Sequence, residues 1–205
     1  MIFIHTPAPK PLYLVCGIEC SGKSTFADYL HSKEGYGLVR ADHVPLDIRD
    51  FLYGREAELY SSDLGIREQF ASAGDGEEKL DVFYRWITIE TIMRIFENLR
   101  TGEGAILDGK LPVPESRTIL LQAERAIYRG FSPSAYWMDT DRDECIRRFK
   151  DRKNHELVGE PGVVLTEDMI AESHAKAIPP GRGEGFEHIN FVRGTSPEEY
   201  EIRTA

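Results

Sequence analysis

Short apolar runs alternate with stretches of helical spacing along almost the whole chain. Leu12-Tyr13-Leu14-Val15-Cys16 predicts a strand, and Ser24 to Leu30 begins a helix a few residues later. Tyr36 to Asp42 predicts a second strand, ending in a carboxylate. Leu46 to Leu59 predicts a helix, and Ser72-Ala73-Gly74-Asp75-Gly76 a loop. The clearest helix runs from Glu77 to Leu99, where Leu80, Phe83, Tyr84, Ile87, Thr91, Ile92, Ile95, Phe96 and Leu99 recur at helical spacing before Gly102; its aromatic stripe reads as core. Gly104 to Gly109 is a third strand, closing on Asp108, and Pro114 opens a helix that runs to about Tyr128. Ser134 to Asp139 is a fourth strand, Asp141 to Lys153 a basic-faced helix, Thr166 to Ala177 another helix and His188 to Val192 a last strand. This rhythm predicts an α/β fold in a single domain over residues 1–205, with a parallel sheet of about five strands covered by helices on both faces.

Composition narrows the setting. Apolar residues make up 41% of the 205, enough for a globular core, and no apolar run approaches the ~20 residues that span a bilayer. Met1-Ile2-Phe3-Ile4 is soon followed by Pro7, Pro9, Lys10 and Pro11, which is not a secretory leader; a cytoplasmic protein without a membrane partner is expected. Cys16, Cys20 and Cys145 form neither a disulfide framework nor a zinc set. The net charge of −10 argues against a broad grip on a nucleic-acid backbone, leaving one local basic cluster, Arg147-Arg148-Phe149-Lys150-Asp151-Arg152-Lys153.

Between the first strand and the first helix stands Gly17-Ile18-Glu19-Cys20-Ser21-Gly22-Lys23-Ser24, which fills every fixed position of G-x-x-x-x-G-K-[ST]. The glycines let the backbone turn tightly and approach a polyphosphate, so that N–H groups and a helix N-terminus face the anion. Lys23 is expected to neutralise the β- and γ-phosphates and Ser24 to ligate Mg²⁺. Gly17, Cys20, Ser21, Gly22, Lys23, Ser24 and Thr25 are therefore the expected nucleotide contacts, with ATP and Mg²⁺ as the implied donor and cofactor. Asp42 and Asp108 end strands on the ligand-binding side of an open α/β sheet; each also reads as a simple cap or turn acid.

Together with this loop, Arg40-Ala41-Asp42, Ile106-Leu107-Asp108-Gly109, the arginine helix Cys145 to Arg152, Ile178-Pro179-Pro180 and Glu184-Gly185-Phe186-Glu187 arrive in an order that resembles the polynucleotide-kinase-like P-loop kinases, from about Leu12 to Val192. The resemblance implies a P-loop NTPase kinase fold with a helical, arginine-bearing lid at about 141–165. It implies that Asp42 accepts the proton of the attacking hydroxyl, that Arg152, with Arg148 beside it, stabilises the transferring phosphoryl group, and that Arg40, Asp42 and Asp108 serve the acceptor. Asp108 is left with two roles, an Mg²⁺-bound water or acceptor orientation. Pro179 and Pro180 fall where related kinases wrap adenine, and Pro45 stands where the family usually has an arginine. The implied activity is γ-phosphate transfer to a hydroxyl on DNA, RNA or a nucleoside-like molecule. The acidic balance favours a small acceptor such as a sugar acid, and a nucleotide switch or ATPase without an acceptor is the alternative of a different class.

Overall fold

The computed structural model describes residues 8–55, 57–74, 76–127, 130–152 and 164–205. The readings placed on Met1–Ile4 and Pro7, on Asp75, on Tyr128, and on Lys153 with the lid portion 153–163 lie outside these residues. The strands are β1 (Lys10–Cys16), β2 (Gly37–Arg40), β3 (Ala105–Asp108), β4 (Phe131–Met138), β5 (His188–Arg193) and β6 (Glu201–Thr204). They form one sheet in the order β2-β3-β1-β4-β5-β6. The first five run parallel, and β6 closes the far edge antiparallel to β5, a strand the apolar pattern does not announce because all four of its residues are exposed.

The helices are α1 (Lys23–Glu34), α2 (Val44–Leu52), α3 (Ile66–Ser72), α4 (Glu77–Thr101), α5 (Pro114–Ile127), α6 (Arg142–Lys150) and α7 (Glu167–Lys176). Period-two alternation in β1 sends Leu12, Leu14 and Cys16 to one face, where Ile95 and Leu99 of α4 and Leu121 of α5 pack. Val15 turns to the other face, against Phe26, Ala27 and Leu30 of α1. Helices therefore cover both faces, as crossovers between parallel strands require. Cys16 is fully buried in this core, and burial pushes its thiol up to about 12. Among the described residues no helix is long and apolar enough to cross a membrane.

Two segments differ from their sequence patterns. β2 stops at Arg40, and Asp42 sits in a 3-10 turn, Ala41–His43, that leads into α2 with Pro45 in the first turn, where a missing N–H costs no helical bond. The helix expected to reach Leu59 ends at Leu52, just ahead of Gly54 with φ 73°. The rest of this excursion is held by an apolar cluster of Val44, Ile48, Leu59, Ile66 and Trp86. It is also held by Glu90, fully buried, which accepts from Tyr60 N at 3.2 Å, Ser61 N at 2.9 Å and Ser61 Oγ at 2.7 Å and pairs with Arg94 at 2.8 Å. The excursion thus packs on Trp86 and Glu90, and the expected core positions Leu80 and Tyr84 point to solvent. The sequence pattern misses this because a buried carboxylate does not register as apolar.

Candidate active site

Five parallel strands bring five carboxyl ends to one edge of the sheet, and a cavity of about 540 Å³ opens there. Its centre is the turn between β1 and α1. Gly17 (φ 149°), Cys20 (φ 58°) and Gly22 (φ 98°) bend it through backbone conformations that ordinary residues avoid. A Cβ at Gly17 would stand 2.8 Å from Ser21 Oγ, and at Gly22 the φ of 98° strains any side chain, with Arg148 Nη1 3.0 Å from where its Cβ would be. Ser21 Oγ donates to the Ile18 carbonyl at 2.8 Å, and Lys23 Nζ donates to the same oxygen at 2.6 Å. One ammonium hydrogen closes the loop; two remain for an anion. α1 begins at Gly22 with no side-chain cap and no acidic residue in its first turn, which leaves its N-terminal donors to a ligand. Ser24 and Thr25 line the same cavity.

α6 lies across this loop. Its Asp141 N-cap starts it beyond β4, and Cys145 and Phe149 anchor it to Ile18, Leu165 and Ile170 of α7. Arg148 reaches down from this platform, with Nη1 3.0 Å from the Ser21 carbonyl and Nε 2.7 Å from Glu144 Oε1. Arg152 does not share its helix face, because α6 ends at Lys150. It follows the C-cap and still reaches the loop, donating to Cys20 Sγ at 3.6 Å. Arg147, which the motif reading left out, lines the cavity too. Hydrogen bonds from Arg147 and Arg148 lower the Glu144 carboxyl to about 2. The Glu144 side chain is 30% exposed and that of Arg147 61%, and ion pairs screened by water in this way add little to stability. Glu144→Gln is accordingly expected to leave the unfolding midpoint unchanged while lowering nucleotide-dependent turnover several-fold, because Arg148 loses the partner that aims it; calorimetry beside a turnover assay checks both halves.

On the β2 side the cavity is walled by Asp42. Its carboxylate takes no hydrogen bond from the described residues. The surrounding protein withdraws water from it and pushes its pKa up; the like charge of Asp108 adds to this, while Lys23, His43 and Lys110 pull the other way. Asp108 itself is buried, and Arg40 Nη1 stands 3.5 Å from it. Arg40 also pairs with Asp28 on α1, and lines a separate groove along the free edge of β2. Arg40 and Asp108 therefore sit behind the cavity wall, while Asp42, Lys23, Ser24, Arg148 and Arg152 meet inside it. Pro179 and Pro180 are not among the residues lining it; Gly194, Thr195 and Tyr200 form the end beyond β5.

Three features escaped the motif reading. Lys110, two residues past Asp108, lines the cavity and pairs with Glu19 of the loop. Burial raises the Glu19 carboxyl, but Lys110 outweighs it and the group ends below its ordinary value. Tyr200, packed edge-on to Phe26 with ring centroids 4.9 Å apart, comes from the short tail whose strand has no apolar signature. Arg117 on α5 is fully buried and joins the 111–114 segment to residues 178–184; a lone arginine in a helix carries no signal of this in sequence.

The donor set suits a nucleotide carrying Mg²⁺. The glycine cradle leaves room for phosphate, and Ser24 supplies one hydroxyl at its edge. Among the described residues no group of three His, Cys, Asp or Glu stands ready to hold a metal, as expected for Mg²⁺, which leans on phosphates and water more than on a protein cage.

Comparison with known proteins agrees with this geometry. A family model described as an AAA domain matches residues 12–172. No curated protein matches the chain in sequence. Among solved structures, a suggested kinase from Chloroflexus aurantiacus J-10-fl superposes with a TM-score of 0.62 at 18% identity, over 94% of this chain and 92% of that one. A gluconokinase from Sinorhizobium meliloti 1021 gives 0.50 at 16% identity, over 92% and 85%. A sugar kinase from Janibacter sp. HTCC2649 gives 0.50 at 14%, over 89% and 86%. These likenesses establish the small P-loop kinase-like fold.

Proposed function

Since the chain belongs to the AAA domain family, we propose that it is an ATP- and Mg²⁺-dependent kinase that transfers the γ-phosphoryl group to a hydroxyl acceptor. One observation carries the reading: Lys23, Ser24, Arg148, Arg152 and Asp42 come from separate parts of the chain and face one cavity. The carboxylate on the far side of the phosphate loop from Tyr200 can take the proton of a hydroxyl acceptor, or of water in a simple ATPase, and formation of a phosphorylated product separates the two.

Mechanistically, the loop amides and Lys23 hold the β- and γ-phosphates, and the Tyr200 end receives the nucleoside. Ser24 would hold Mg²⁺, which would supply further neutralising charge when bound. Arg148 and Arg152 stabilise the charge on the transferring group, for which planar guanidinium is suited by its paired donors. Asp42 accepts the hydroxyl proton as the acceptor oxygen bonds to phosphorus and the bond to the β-phosphate oxygen breaks, releasing ADP. The resemblance to polynucleotide kinases supports a strand end or nucleoside-like acceptor; the net charge of −10 supports a small one.

The test is labelled γ-phosphate transfer to 5′-hydroxyl DNA and RNA, nucleosides and sugar acids. Asp42→Asn is expected to lower transfer by about 10²- to 10⁴-fold, the usual worth of a general base, with ATP affinity preserved. With wild type, log kcat/KM falls as pH drops through the Asp42 pKa, and that limb lies above the ordinary carboxylate value because the group's pKa is raised. ADP release independent of every acceptor, without phosphorylated product, would refute the kinase reading.

A further inference from the structure

The sheet order lays the strand ends across the cleft in a fixed sequence: Asp42 beyond β2, Lys110 beyond β3, the phosphate loop beyond β1, α6 beyond β4, and Gly194 and Thr195 beyond β5. The cavity therefore has two chemically different ends. The Tyr200 end is neutral and aromatic, while the other carries Asp42 and Lys110. Four cations, Lys23, Arg147, Arg148 and Arg152, already stand on the loop, on α6 and in the turn just after it, where donor phosphates are met. Lys110 is a fifth, set on the acceptor side.

Its surroundings are asymmetric. Glu19, its one ion-pair partner among the described residues, has a side chain only 8% exposed, whereas the Lys110 side chain is 49% exposed. Both Glu19 carboxylate oxygens are buried and Lys110 is the cation that stands against them, so the carboxylate is fixed and the ammonium rides at the surface of the cavity. An ammonium has three donors and Glu19 uses one of them. Lys110 also lies close enough to Asp42 for its charge to act on that carboxyl.

Resting on the kinase reading, we propose that Lys110 is an acceptor-binding residue that grips an oxyanion, carboxylate or phosphate, carried by the acceptor close to the hydroxyl that Asp42 deprotonates. The acceptor is then a hydroxy acid or a phosphorylated alcohol, and Glu19 holds the ammonium in position for it. A neutral polyol can accept hydrogen bonds from the ammonium but brings no charge to pair with it.

The test uses the full chain with ATP, Mg²⁺ and matched acceptors: D-gluconate against D-glucose, and adenosine 3′-monophosphate against adenosine, each scored for labelled γ-phosphate transfer. The anionic member of a pair is expected to be the substrate, and which pair responds separates the carboxylate from the phosphate source. Lys110→Met is expected to raise KM for that acceptor about 10- to 100-fold, the worth of a charge-assisted hydrogen bond, with KM for ATP changed by less than about twofold. Lys110→Arg should recover most of the loss. Removing Lys110 also strands Glu19, so the double variant Glu19→Gln/Lys110→Met is the decisive arm. If Lys110 were only the counter-ion of Glu19, the double variant would regain the wild-type acceptor KM; continued loss supports the proposal. Equal use of the neutral and anionic members, or an unchanged KM in Lys110→Met, overturns it while leaving the kinase reading intact. Transfer to no acceptor, with ATP still bound, overturns the kinase reading and this inference with it.

Discussion

Lys23→Ala is expected to reduce ATP-dependent turnover about a thousandfold, the scale set by removing a preorganised charge from a phosphoryl-transfer site. The side chain has two tasks that separate cleanly. Its contact with the Ile18 carbonyl at 2.6 Å helps curl the loop, but Ser21 Oγ reaches the same oxygen at 2.8 Å and the glycine conformations are built into the backbone. Loss of that contact therefore leaves the loop standing. The other task, charge at the β- and γ-phosphates from within the loop, has no substitute, because Arg148 and Arg152 approach from the α6 side and serve the transferring group. Circular dichroism and the unfolding midpoint should match wild type while turnover collapses. An active Lys23→Ala protein would show that the nucleotide lies elsewhere.

The donor half of this site was legible in sequence because its requirements are local. A phosphate loop needs glycine at positions of forbidden φ, a lysine and a hydroxyl at fixed spacing, and a strand and helix on either side; all of these are written within about twenty residues. The acceptor half is assembled from the ends of β2 and β3, which are 68 residues apart at their register-paired positions Arg40 and Asp108 and adjacent only through the sheet. Lys110 gave no signal because nothing local marks a lysine beyond β3 as facing Glu19 beyond the neighbouring strand β1, far away in sequence. The same reason explains Arg152. Helical spacing put it on one face with Arg148, yet α6 stops at Lys150 and Arg152 reaches the loop from the turn that follows. Polar burial was the other blind spot, as Glu90 shows: of the apolar stripe read on α4, Phe83 and Ile87 pack on the excursion while Leu80 and Tyr84 face solvent, and Trp86 and a buried carboxylate, which the stripe left out, complete the contact.

Arg117→Leu is expected to be the most damaging single change to stability. The guanidinium is fully buried and donates Nε to Glu184 Oε2 at 2.6 Å, Nη2 to Glu184 Oε1 at 3.0 Å, Nη1 to the Leu111 carbonyl at 2.9 Å and Nη2 to the Ile178 carbonyl at 3.0 Å. Removing it strands a carboxylate and two carbonyls at once, so the cost is set by uncompensated burial, about 3–5 kcal/mol, and a fall in the unfolding midpoint of about 10 °C for a chain of this size. The pH dependence carries the diagnosis. In the wild type, burial raises the Glu184 carboxyl but Arg117 outweighs it, leaving the pKa depressed. The stability from this pair is thus present above the unfolded pKa and is lost as pH falls through the folded one. In the variant burial is opposed only by the Gly181 N–H, which donates to Glu184 Oε1 at 2.8 Å, so Glu184 takes up a proton more readily and the deficit against wild type narrows in acid. Denaturant melts at neutral pH and at about pH 4 separate this from simple loss of packing, which would give a pH-independent deficit. Arg117→Leu/Glu184→Leu should regain part of the loss, since replacing both members of a buried pair leaves no charge stranded. A double variant no more stable than Arg117→Leu would shift the cause to the Leu111 and Ile178 carbonyls, and with it the task of Arg117 from neutralising Glu184 to tying the segment beyond β3 to residues 178–184.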